Sequence, residues 1–83
     1  MGQGMLFNVK DLKYYYSLTQ QDIADAFSVR QGLISTYAKL GDDFQVEVEV
    51  NDEGVASIIS WVRVARGDGG EERIHTKKAL KYE

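Results

Sequence analysis

Near Gly41 the hydrophobic period of the chain changes from 3.6 to 2, and that change restricts the fold more than any other feature. Upstream, apolar residues recur every three or four positions: Val9, Leu12 and Tyr16, then Ile23, Ala24 and Phe27, then Val29, Leu33, Ile34 and Tyr37. Downstream, FQVEVEV at 44–50 alternates strictly, with Phe44, Val46, Val48 and Val50 on one side and Gln45, Glu47 and Glu49 on the other. A helix gathers i, i+3 and i+4 on one face, whereas a strand gathers i, i+2 and i+4. Helices therefore come first and sheet second. In 83 residues both must share one core, which makes a single α+β domain over 1–83.

Capping chemistry sets the expected boundaries. Asn8 is a suitable N-cap for NVKDLKYYYSL, and Thr19 with Asp22 three residues later forms a capping box for a second helix. Ser28 with Gln31 matches the same box and is expected to open a third helix over 29–40, with Gly41 as its left-handed C-cap. After the strand at 44–50, NDEG at 51–54 is a hairpin turn in which Gly54 takes positive φ. VASIISWVRVAR follows as a long strand. Its alternation breaks at the adjacent Ile58 and Ile59, which implies burial on both faces or a bulge. GDGG at 67–70 turns again, and ERIHTKKALKY alternates with Ile74, Leu80 and Tyr82 opposite Arg73, His75, Lys77 and Lys81. The expectation is three helices followed by a two- or three-stranded antiparallel sheet.

Composition removes several chemistries. There is no cysteine and one histidine, His75, so neither thiolate catalysis nor a Cys/His zinc site can be built, and His75 reads as a surface residue. No nucleophile–base pair is legible. GDGG lacks the Lys and Ser/Thr of a P-loop, the acids at 42–53 do not follow EF-hand spacing, and Arg66-Gly67-Asp68 reads as a turn. No enzyme, metal or cofactor is expected. VASIISWV at 55–62 is far short of the ~20 residues that cross a bilayer, and MGQGMLF has neither the charged nor the long apolar region of a signal peptide. A cytoplasmic protein without membrane contact is expected.

The stretch TQQDIADAFSVRQGLISTY at 19–37 ends one helical pattern and starts another within about two residues. Ala24 is small where the two helices cross, so they approach closely, and a short turn makes them cross steeply. The outer face of the second then carries Arg30, Gln31, Gly32, Ser35, Thr36 and Lys39, with no acid among them. A helix fits the major groove of DNA, where Arg and Gln read guanine and adenine edges bidentately.

Gln20-x-x-Ile23-Ala24-x-x-Phe27-Ser28-Val29-x-x-x-x-Ile34-Ser35 resembles the helix-turn-helix of phage and bacterial repressors, over about a quarter of the chain. With strands following the helices, the whole is most similar to the phage Cro repressor family. The resemblance implies a homodimeric regulator of double-stranded DNA, paired through its strands. It further implies that Gln31, Gly32, Ser35 and Thr36 touch bases, Arg30 and Lys39 lie at the edges, and Gln20 meets a phosphate. Two positions depart from the family's pattern: Ser28 stands where glycine is usual in the turn, and Gly32 where a side chain is usual.

Charge is unevenly distributed. Residues 1–41 carry a net +1, residues 42–72 carry nine acids against Arg63 and Arg66 for −7, and residues 73–83 carry +3. The acidic middle motivates an alternative function: a protein-binding module on the same scaffold, an antirepressor or inhibitor that offers its hairpin to a basic partner. Ile58, Ile59 and Trp61 read either as core or as a dimer interface. Lys77, Lys78 and Lys81 read as a solvated strand face or as phosphate contacts. Tyr14–Tyr16 reads as core plus helix surface.

Overall fold

The computed structural model describes residues 4–80. Strand β1 (Gly4–Phe7) leads into helices α1 (Val9–Tyr16), α2 (Gln20–Phe27) and α3 (Gln31–Ala38). One 3-10 turn at Gly41–Asp43 then precedes β2 (Phe44–Val50), β3 (Ala56–Arg66) and β4 (Glu72–Lys78). The strands form one antiparallel sheet in the order β1-β2-β3-β4, with the helices packed on one face. The α+β class is as expected, but the sheet has four strands. The additional one is β1, whose Met5 and Phe7 pair with Val48 and Val46 and so cover the edge of β2.

Most helix ends follow from local chemistry. The Asn8 side chain accepts from the Asp11 amide at 2.8 Å. Thr19 and Asp22 complete both bonds of the capping box, satisfying donors that no helix can satisfy internally. The expected box at Ser28 is corrected. Ser28 is the C-cap of α2, left-handed at φ 55° and ψ 44°, and its amide returns to the carbonyls of Ala24 and Asp25. Helix α3 starts three residues later at Gln31, with Arg30 at its N-cap and no side-chain capping bond. It also ends earlier than expected, because Leu40 closes onto Tyr37 and Gly41, at φ 62°, opens the 3-10 turn.

Leu12, Ile23, Ala24, Phe27 and Ile34 from the helices meet Phe44, Val46, Val48 and Trp61 from the sheet in one core. Each large side chain so buried contributes roughly 1.5–3 kcal/mol. Trp61, at 7% exposure, is the hub: its ring lies 4.7 Å from Phe27 and 5.6 Å from both Tyr37 and Phe44, centroid to centroid. Ile58 packs against the same core. The expected apolar triad is therefore divided, and Trp61 is occupied within its own chain.

Strand β3 contains the bulge that its broken alternation foreshadowed. Val46 pairs with Trp61, Glu47 with Ser60 and Val48 with Ile58, which leaves Ile59 without an opposite residue. One extra residue resets the alternation. Ile58 and Trp61, three apart, both face the helices because their partners Val48 and Val46 do. Past the bulge Arg63 and Ala65 continue on the helix side, while Ser60, Val62 and Val64 face away. Pairing with β2 ends at Phe44 and Arg63, so Val64–Arg66 continue with β4 alone as a two-stranded ribbon. The molecule measures 45 by 26 by 25 Å. Among the described residues no helix is long and apolar enough to cross a membrane. Lys81 and Tyr82, assigned above to opposite strand faces, lie outside the described residues.

Candidate nucleic-acid interface

Helices α2 and α3 are joined by Ser28, Val29 and Arg30 alone. The left-handed Ser28 reverses the chain, and the fully buried Ala24 lets the helices close. With Ile23, Phe27 and Ile34 turned inward, α3 leaves Gln31, Gly32 and Thr36 exposed and Ser35 half-buried. Arg30 and Lys39 flank this row, both exposed, at the N-cap and C-cap of α3. All six residues expected on the outer face are therefore contiguous on one element.

Gln31 is held in place. Its amide nitrogen Nε2 donates to Gln20 Oε1 at 2.6 Å, linking the first residues of α2 and α3 across the corner. The remaining amide hydrogen and carbonyl of Gln31 stay free to bond a ligand. Thr36 donates its hydroxyl to the Gly32 carbonyl at 3.0 Å, which fixes the hydroxyl along the helix. A Cβ on Gly32 would meet nothing within 4 Å, so its missing side chain leaves the middle of the row open.

Beside this row runs a groove between α1, the start of α2 and helix α3, lined by the apolar Val9, Leu18 and Ala38 as well as by Lys10, Lys13, Thr19, Gln20, Gln21 and Gln31. Lys10 and Lys13 are exposed cations that sequence reasoning passed over. Their signal was present: both lie off the Val9–Leu12 stripe, on the solvent side of α1. Only the packing of α1 against the corner places them beside Gln20.

Several acids among the described residues are engaged or lie elsewhere. Asp22 serves the Thr19 cap, Asp25 accepts from Gln21 at 2.8 Å and Asp42 accepts from Asn8 at 3.0 Å. Asp43 bridges to Arg66 at 3.2 Å. Hydrogen bonds that the Arg66 guanidinium donates to Asp43 and Glu72 hold it above its usual range, so it stays charged. Glu47 and Glu49 stand on the sheet face turned away from the helices, because their neighbours Val46 and Val48 fill the core. The acidic hairpin and the α3 row thus lie on opposite sides of the sheet.

Among the described residues no group of three His, Cys, Asp or Glu side chains could hold a metal. Comparison with family models, curated proteins and solved structures found no match.

Proposed function

We propose that the protein is a sequence-specific regulator of transcription, a repressor of the phage or bacterial helix-turn-helix kind, that reads double-stranded DNA in the major groove with α3. The carrying observation is the acid-free row from Arg30 to Lys39, with Gln31 positioned by its bond to Gln20. In this reading Gln31, Ser35 and Thr36 contact base edges around the gap at Gly32, and Arg30, Lys39 and Gln20 contact backbone phosphates. The regulator works in the cytoplasm as a homodimer, since one helix reads only a few base pairs and two-fold symmetry doubles the site. With Trp61 in the monomer core, pairing falls to exposed strand residues such as Ile74 on β4.

Fluorescence anisotropy against mixed duplexes at low salt tests the reading. The wild-type protein binds, and the Arg30→Ala/Gln31→Ala variant loses specific binding by ~10-fold or more while its melting temperature holds, since a good bidentate base contact is worth about 1–3 kcal/mol. No wild-type binding at low salt ends the proposal.

A second reading has its own support. Glu47 and Glu49 face outward opposite Ser60 and Ser57, with no cation across the strand pair. Such a surface suits a basic protein partner. The Glu47→Lys/Glu49→Lys variant separates the two readings: duplex affinity is kept or raised if α3 is the working surface, whereas a hairpin-dependent partner is lost.

A further inference from the structure

The β3–β4 pair carries more of its cations on one face than on the other. On the side shared with the helices, Trp61 pairs with Lys77, Arg63 with His75, and Ala65 with Arg73. On the opposite side Arg66 is neutralised by Asp43 and Glu72, and the middle positions are Val62, Val64, Ile74 and Thr76. Lys78, opposite Ser60, is the one other cation on that side among the described residues. Apart from the buried Trp61, every long side chain on the helix side of the paired strands is thus a cation or His75. Among the described side chains, the acid paired with them is Glu71, just outside β4 and 4.0 Å from Arg73. Both partners are 75% exposed, so the pair is weak and readily exchanged.

This face is fastened to α3. The Arg63 guanidinium lies 5.3 Å from the centre of the Tyr37 ring, and Tyr37 belongs to α3. Lys77 lies 5.8 Å from the centre of the Trp61 ring, which holds the ammonium over the core rather than leaving it to swing. The ribbon's cations are therefore positioned relative to the α3 row.

We propose that the helix-side face of the β3–β4 ribbon, through Arg63, Arg73, His75 and Lys77, is a second DNA contact, an arm that follows the phosphate backbone beside α3. The inference rests on the DNA-binding reading above. Alternate residues of a strand stand ~7 Å apart on one face. A duplex carries one negative charge per ~1.7 Å of axis, so a row with that spacing meets phosphates along its whole length. A protein partner fits this face less well, because its large aromatic, Trp61, is already buried and no aromatic anchor remains for a desolvated hot spot. Contacts of this kind add affinity without adding sequence preference.

The salt dependence of duplex binding tests the arm. Each phosphate contact contributes ~0.9 to the slope of log K against log salt. Arg73→Gln/Lys77→Gln should lower the slope by about 2 and weaken binding to all duplexes alike. Lys78→Gln, one residue away but on the other face opposite Ser60, should leave the slope at its wild-type value. These three side chains are exposed, so far-UV circular dichroism and melting temperature should match wild type in both variants. An unchanged slope in the double variant overturns the arm, as does an equal loss in Lys78→Gln. If the wild-type protein binds no duplex at low salt, the DNA reading itself falls and the arm falls with it. A wild type that binds beside a double variant of unchanged slope removes the arm alone.

Discussion

Ser17 and Ser28 both sit in the left-handed region, at φ 57° and 55°, where helices ordinarily end on glycine. An L-residue there costs roughly 1–2 kcal/mol against the right-handed conformation. At Ser28 the cost supports the steep corner on which the α3 row depends. Ser28→Gly relieves it, offset in part by the greater freedom of glycine in the unfolded chain. The expected result is a gain of ~0.5–1 kcal/mol in urea denaturation, and a loss would show that the serine is not strained. The same residue explains why α3 starts later than the side-chain pattern suggests. Serine suits an N-cap, and Gln31 three residues later completes the capping-box pattern as well as any true box. Whether a residue adopts positive φ depends on the helix it must terminate, and that is not written in its side chain.

Among the elements, β3 shows how one residue redirects many. Without the bulge, alternation from Ala56 and Ile58 would carry Ser60, Val62 and Val64 to the helix side and expel Trp61. With Ile59 set outside the ladder, Trp61 enters the core and Arg63 follows it to the same face. The bulge has a second use, since the Ile59 carbonyl accepts from the buried Ala79 amide at 2.7 Å and ties down the chain after β4. Deleting Ile59 leaves Ile58, Ser60 and Trp61 in regular alternation. The variant should therefore fold with Trp61 still buried, read as blue-shifted tryptophan emission, though with lower stability from the lost tie. Red-shifted emission would mean that the bulge does not set the phase. VASIISWVRVAR signalled a bulge by its broken alternation but not where it lies. The position is decided by which pairing buries the tryptophan.

At the scale of the molecule, three short helices and a sheet share one core in which Trp61 touches Phe27, Tyr37 and Phe44. A domain of this size has total stability on the order of 5–12 kcal/mol. Trp61→Ala should cost about 3–5 kcal/mol, a large part of it, seen as a loss of folded signal at low urea. A cost under about 1 kcal/mol would place Trp61 outside the core. The sheet also divides the surface, with the α3 row and the cations Arg63, Arg73 and Lys77 on the helix side and Glu47, Glu49 and Lys78 on the other. A net charge of −3 is thereby compatible with a polyanion partner, because separation by face matters more at contact range than the total. The sequence by itself determined the order of helices and sheet, the caps at Asn8 and Thr19, the strand at 44–50 and the acid-free row from Arg30 to Lys39. Periodicity, capping and helix-face composition act within a few residues of each other. Only the tertiary structure decided that Gly4–Phe7 is a strand, that Trp61 is core, and that Arg63, Arg73, His75 and Lys77 share a face with the helices. Those outcomes depend on partners 8 to more than 40 residues away, where the energy gained by burying one set of side chains selects the pairing and, with it, the face every neighbour must take.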